Sequence, residues 1–365
     1  MLAPGDAVGI LGAGQLGRML ALAAARLGFA THVFSPDEAA PAAEVASRAT
    51  VAAYDDADAL AAFAASVAVM TYEFENVPVT AVRPLGDLVR PGPRALEVAQ
   101  DRLVEKAFLA ACGLAVAPHA PVDDLAGLGA AHATLGPHTI LKTRRLGYDG
   151  KGQVRVGPHA DLAAAFAAIG NVPAILEAAV PFVAETSTVL ARGADGSIAA
   201  YAHPRNVHEG GILRRSTVPG PLEATAEDGA VRLATAVAER LGYVGVLAIE
   251  WFLAEDGALI ANEMAPRVHN TGHWTEAAAL TSQFENHVRA IAGWPLGSTR
   301  RTGDATMMNL IGDEVRDWRR HLAVPEARLH LYGKREAREG RKMGHVTVVG
   351  QTIAGGSVDS SGTQC

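Results

Sequence analysis

At 365 residues and a net charge of −7, the chain is long enough to bury two or three cores and too acidic for broad electrostatic binding to nucleic acid. Its only cysteines, Cys112 and Cys365, exclude a disulfide framework and fit a reducing compartment. No basic region precedes an apolar core at the N-terminus, and the Ala-rich segments 20–30 and 58–70 are too short or too polar to span a bilayer. A cytoplasmic protein without a signal peptide, membrane contact or nucleic-acid partner is expected.

Residues 7–11 read as a short apolar strand that runs into Gly12-Ala13-Gly14-Gln15-Leu16-Gly17 and a helical stretch, 18–27. A second strand follows at 31–34, and Asp37 stands about where a dinucleotide-binding fold keeps its ribose acid. Glycines at a strand-to-helix turn can serve any phosphate at a helix N-terminus, or only the turn itself. An NAD(P)-dependent oxidoreductase is therefore one reading of this end, and another phosphorylated ligand is a second. Residues 67–72 read as a strand ending in Glu73-Phe74-Glu75-Asn76, polar groups at the edge where open α/β sheets bind ligands. Pro91-Gly92-Pro93 marks a boundary.

A helix is expected over 96–112, carrying the dense charge cluster Asp101-Arg102-x-x-Glu105-Lys106, a pattern that usually marks a solvated face. Strands at 139–142 and 154–156 bracket a loop whose three glycines (Gly147, Gly150, Gly152) and several cations suit a flap over polyphosphate, or an ordinary basic hairpin. Residues 174–180 read as a strand with Glu177 and Val180 near its end and Glu185 just beyond. Strands at 186–192 and 198–202 follow, then Asn206, His208 and Arg214-Arg215. A helix at 228–241 leads into the segment 246–274.

In that segment two apolar runs flank Asp256-Gly257, a pair suited to a tight two-residue turn. Such a turn sets Glu255 against Ala258 and, counting outward, Glu250 against Glu263. Opposed carboxylates roughly 5 Å apart repel, and one keeps its proton unless a cation lies between them. A hard divalent metal such as Mg²⁺ fits, and Mg²⁺ implies a nucleotide. Arg267, His269, Asn270, His273 and Trp274 then crowd eight residues that can bind a planar oxyanion. Metal pair and anion loop together point to phosphoryl chemistry. A solvated hairpin with two outward acids is the bland alternative. A helix at 282–292 and strands at 305–311, 327–331 and 346–349 complete the pattern, with residues 351–365 expected to be disordered.

The segments GAGQLGRM (residues 12–19), YEFENVP (72–78), KTRRLGYDGKGQ (142–153), NEMAPRVHNTGHW (262–274), YGK (332–334) and GRKMGH (340–345), in this order, resemble the ATP-grasp ligases. Within these ligases the resemblance is to the 5-(carboxyamino)imidazole ribonucleotide synthases, and it runs from residue 7 to about 349. It implies an α/β (α+β overall) ATP-grasp fold, with a Rossmann-like N-terminal domain (1–100) and an ATP-grasp domain (101–297) whose lid lies at about 115–176. A small β-rich region (298–350) and the tail complete it. The implied reaction is ATP- and bicarbonate-dependent carboxylation of 5-aminoimidazole ribonucleotide in purine biosynthesis, with ATP and Mg²⁺ as cofactors and a homodimer as the assembly.

The resemblance also implies roles. Lys106 and Lys142 contact ATP phosphates, Glu177 and Val180 hold adenine, Glu185 holds the ribose, and His208 belongs to the same nucleotide site. Glu250 and Glu263 carry magnesium. Gly147, Tyr148, Asp149, Gly150, Lys151, Gly152 and Gln153 form the closing loop. Arg267, His269 and Asn270 seat bicarbonate, while Gly14, Gln15, Leu16, Glu73 and Asn76 surround the ribonucleotide and Lys334, Arg341 and Lys342 clamp its 5′-phosphate. Three positions depart from the family pattern. Leu146 replaces a loop glycine, Arg205 replaces an acid ahead of Asn206 and His208, and Ala265 stands where many other ATP-grasp enzymes have Asn. Another ATP-grasp carboxylate–amine ligase, such as a formate-dependent glycinamide ribonucleotide transformylase, is the nearest alternative.

Overall fold

The computed structural model describes residues 1–147 and 150–350, and the expected tail lies outside them, as do Tyr148 and Asp149. The first sheet contains β1 (Ala7–Leu11), β2 (Ala30–Ser35), β3 (Arg48–Val51) and β4 (Val69–Tyr72), all parallel in the order β3-β2-β1-β4. Parallel strands need crossovers, supplied here by α1 (Gln15–Arg26) and α2 (Ala57–Ala64). Sandwiched strands must be apolar, and Val8, Ile10 and Leu11 are buried. The pattern reading missed β3 because it is a polar, largely exposed edge. α1 starts at Gln15, directly on the glycine turn.

Next come α3 (Val79–Val82), α4 (Pro93–Ala99) and α5 (Arg102–Ala111). The single helix expected over 96–112 is thus two. The break is chemical: Asp101 is extended, its carboxylate accepts from the Leu103 N–H, and it caps α5. Asp101 also pairs with Arg144 at 2.7 Å and Arg145 at 3.1 Å, which fastens the cap to the glycine loop.

The second sheet is antiparallel and consists of β5 (His119–Val122), β6 (Thr139–Thr143), β7 (Gln153–Val156) and β8 (Ala174–Ala178) in the order β5-β8-β6-β7. α6 (Leu125–Leu135) and α7 (Leu162–Ala168) cover it through Leu128, Leu141, Phe166 and Leu176.

The third sheet has nine strands: β9 (Ala184–Arg192), β10 (Ile198–Ala200), β11 (Arg205–Glu209), β12 (Ile212–Val218), β13 (Gly245–Leu253), β14 (Leu259–Ala265), β15 (Ala305–Ile311), β16 (Ala327–Leu331) and β17 (Lys342–Val349). Its order is β14-β13-β9-β11-β12-β15-β17-β16, with β10 on β9, so the C-terminal strands extend the sheet that carries the acidic hairpin. α8 (Ala224–Arg240) packs on one face around Leu247, Ile249 and Trp251. α9 (Thr275–Ala278) and α10 (Gln283–Ala292) lie in the core shared with α1, and α11 (Trp318–Leu322) packs at β16. Coverage of both faces explains why β13 is almost continuously apolar. No helix among the described residues is long and apolar enough to cross a membrane.

One buried imidazole ties the first sheet to the third. His287 Nδ1 accepts the Val246 N–H at 3.1 Å, so its proton is on Nε2, 2.8 Å from Thr71 Oγ1 at the end of the first sheet. Gly245 (φ +131) lets the backbone pass; a Cβ there would lie 3.0 Å from the ring.

Candidate active site

Glu250 and Glu263 face each other as expected, but by another route. Near the turn Leu253 pairs with Leu259 and Trp251 with Ala261, one residue out of step with a two-residue loop. The Gly257 N–H donates to Ala254 O and Ala254 N–H to Ala258 O, so the connection is one residue longer than Asp256-Gly257 alone, with Gly257 at φ +86. In that register Glu250 would face Asn262, and Glu263 would point through the sheet. A bulge between Glu250/Trp251 and Ala261/Glu263 restores the count. Two offsets cancel, and the acids meet.

They are not equivalent. Arg102 donates from Nη1 to Glu263 Oε2 at 3.0 Å. Burial works against ionisation of Glu263, but the Arg102 charge overrides it and holds the carboxyl down to about 2. Burial and the neighbouring Glu263 push Glu250 up to about 7. His269 Nε2 lies 3.3 Å from Glu250 Oε1 but is itself kept neutral by burial and by Arg267. A carboxylate pair with charge to spare, beside a buried Asn262 Oδ1 that has no partner among the described residues, is a hard-oxygen set suited to Mg²⁺.

The charge cluster on α5 is no solvated face. Glu105 and Lys106 are 2% and 1% exposed. Lys106 Nζ and Lys142 Nζ lie 3.4 and 3.0 Å from the same Glu177 oxygen, while Glu177 Oε1 is buried without a partner among the described residues. Opposed charges keep Glu177 ionised despite its burial. Lys142 reaches the wall of a cleft of about 1100 Å³; Lys106 and Glu177 lie behind it, and Val180 is not part of the wall. Glu185 and His208 do line it, and Glu185 Oε2 is 2.8 Å from His208 Nδ1, a bond that raises the imidazole against its burial.

Gly147, Gly150, Lys151 and Gln153 form another side of the cleft. Gly152 joins β7 back to Thr143, whose N–H it accepts at 2.7 Å. Gly150 packs on the β11–β12 turn, where a Cβ on it would lie 2.7 Å from Gly210 O. Leu146 is left-handed (φ +64) and 71% exposed, so the departure from glycine costs backbone strain of roughly 1 kcal/mol.

The anion loop is built on partners. Arg267 donates to Glu75 from Nε at 2.5 Å and from Nη2 at 3.2 Å, joining the end of β4 to the end of β14. Asn270 and Asn309 exchange amide bonds of 3.0 and 2.8 Å. Arg267, His269 and Asn270 all line the cleft. So do Gln15, Leu16, Glu73, Asn76, Lys334, Arg341 and Lys342. A side pocket of about 320 Å³ adds Gly14, Ser35, Asp37 and Tyr54 to Gln15, Glu73, Lys334 and Arg341.

The glycine turn does not offer an open anion site. Glu73 accepts the N–H groups of Gly14 and of Gly17 (2.7 Å for Gly17), so an internal carboxylate fills the helix N-terminus. This removes the seat a dinucleotide pyrophosphate needs, and with it the oxidoreductase reading. The sequence marks Glu75 only as a polar group at a strand end, and it gives no site role to Arg102, Glu105 or Asn309. Arg102 and Glu105 were hidden in an apparently solvated charge run. Glu75 and Asn309 gain their place only through partners 192 and 39 residues away.

Three domain families match in chain order: the ribonucleotide synthetase preATP-grasp domain over residues 6–100, the ATP-grasp domain over 107–284 and the phosphoribosylaminoimidazole carboxylase C-terminal domain over 305–355. The chain is 53% identical over 350 residues to the N5-carboxyaminoimidazole ribonucleotide synthase of Brucella melitensis biotype 1, covering 95% of this chain and 97% of the relative. It is similar to the structure of N5-carboxyaminoimidazole ribonucleotide synthetase from Thermus thermophilus, with TM-score 0.87, 44% identity and 94% and 93% of the two chains covered. It is also similar to the Aspergillus clavatus N5-carboxyaminoimidazole synthase in complex with ADP and 5-aminoimidazole ribonucleotide, with TM-score 0.89, 29% identity and 95% and 94% covered. The protein thus has the ATP-grasp fold, and it belongs to the N5-carboxyaminoimidazole ribonucleotide synthase family.

Proposed function

We propose that the protein is a ligase that uses ATP and bicarbonate to carboxylate the exocyclic amine of 5-aminoimidazole ribonucleotide, a step of purine biosynthesis. A bicarbonate oxygen attacks the γ-phosphorus of ATP and the bond to ADP breaks, giving carboxyphosphate. Its C–O bond then breaks, releasing phosphate and CO₂. The amine nitrogen bonds to the carbon and loses a proton. The observation that carries this reading is the Glu250/Glu263 pair on the wall of one cleft that also holds Lys142, Arg267, His269 and Asn270.

In this reading Glu250 and Glu263 would hold Mg²⁺, which would supply positive charge for phosphoryl transfer. Lys142 binds the nucleotide phosphates from the cleft wall, backed by the buried Lys106 and Glu177, and Glu185 with His208 stands at the ribose. Arg267, His269 and Asn270 orient bicarbonate. Gln15, Glu73 and Asn76 face the aminoimidazole ribonucleotide, and Lys334, Arg341 and Lys342 supply the cations for its phosphate. The glycine loop, with Tyr148 and Asp149, keeps water from the acyl phosphate. Residues 1–100 and 298–350 serve the ribonucleotide and 101–297 the nucleotide, in a cytoplasmic homodimer. The test is ADP formation with each substrate omitted in turn. ADP is expected only when ATP, bicarbonate and aminoimidazole ribonucleotide are all present; ADP formation indifferent to the imidazole substrate would reject the assignment.

A further inference from the structure

A bulge leaves one residue outside the ladder, so the strand on either side of it gains from partners that hold its register. β14 is also an edge strand, so its outer groups need partners from elsewhere. The first turns of α5 supply them. The Met264 N–H donates to Glu105 Oε1 at 2.6 Å, and Lys106 Nζ donates to Asn262 O at 2.8 Å. These two grips fall on the residues immediately before and after Glu263. One step earlier, the Ala261 N–H donates to Ala115 O at 2.7 Å, so the helix and the segment behind it hold the whole bulged edge.

We propose that Glu105 is a positioning residue for Glu263. By holding the Met264 N–H it locks the bulge in the register that sets Glu263 opposite Glu250, and it thereby governs divalent-cation affinity without holding the cation. The inference rests on Glu250 and Glu263 being the cation pair. What Glu105 must provide is an acceptor oxygen at the right reach, which Gln also has and Asp and Ala lack.

The test uses Mn²⁺ as the probe, titrated by electron paramagnetic resonance into the full-length protein saturated with ADP, alongside hydrogen exchange of the peptide spanning residues 260–264. Glu105→Ala and Glu105→Asp are expected to weaken Mn²⁺ binding about tenfold and to speed that exchange. Glu105→Gln restores both. Since Asp keeps the carboxyl group and Gln keeps the reach, the pair remains decisive if the alanine variant does not fold. Wild-type Mn²⁺ affinity in Glu105→Asp despite faster exchange overturns the proposal. So does weak binding in Glu105→Gln with exchange still slow, which makes Glu105 itself a ligand. Unchanged Mn²⁺ binding in Glu263→Gln is a different failure: it removes the cation pair and not the clamp.

Discussion

Glu263 carries two constraints at once: Arg102 satisfies one of its oxygens, and Glu250 repels it from across the hairpin. Glutamine at 263 keeps the shape and the bond from Arg102 while removing the charge a cation needs. Glu263→Gln is expected to lower Mg²⁺-dependent turnover by about 10²–10³, the scale of losing one preorganised electrostatic group, while circular dichroism and melting temperature stay near wild type. Normal turnover would remove the metal role. Arg341 lines both the cleft and its side pocket, and one arm of it bonds to Glu336 O. Arg341→Ala should raise KM for the ribonucleotide about tenfold with little change in kcat, since a charge-assisted bond is worth about 1.5–3 kcal/mol. An unchanged KM places the phosphate elsewhere. At this scale the sequence showed the opposed acids and the Arg267–Asn270 loop, because both follow from spacing. It hid Arg102 and Glu105, because a charge run says nothing about which side of a helix the fold will bury.

At the scale of elements, strands with apolar cores were legible to within a few residues, and the polar ones were not. β3 and the hairpin β11–β12 escaped because Arg48-Ala49-Thr50-Val51 and Arg205-Asn206-Val207-His208-Glu209 lack a buried period. The hairpin count reached the right pairing through a wrong turn, since loop length and bulge are side-chain and packing decisions that periodicity cannot see. The tie between sheets gives this level its own test. His287 has an ordinary value of 6.5, and burial pushes it down to about 3. The unfolded chain therefore takes up a proton that the folded one refuses. The stabilisation is complete above 6.5 and is lost as pH falls toward 3. His287→Gln offers a donor and an acceptor but does not titrate. In urea denaturation the wild type should lose stability relative to this variant by about 2 kcal/mol between pH 7.5 and 5.0. A difference independent of pH would mean that the imidazole takes up its proton in the fold as readily as in the unfolded chain.

For the whole molecule, the site exists because separate sheets converge. β4 delivers Glu73 and Glu75, the third sheet delivers both acids and Asn309, and the second delivers Lys142 and Glu177. Arg267–Glu75 and His287–Thr71 are among the bonds that tie the first sheet to the third, beside the apolar core that the two share. This convergence was legible only as a resemblance of motifs in order, since no local pattern reveals which sheets share a core. The convergence matters only if bicarbonate meets the γ-phosphate inside the cleft. The most direct measurement supplies ¹⁸O-labelled bicarbonate with ATP and aminoimidazole ribonucleotide and analyses the released phosphate by mass spectrometry. One ¹⁸O atom per phosphate is predicted, carried over from the attacking bicarbonate oxygen; unlabelled phosphate would contradict bicarbonate activation and the reading of the site built on it.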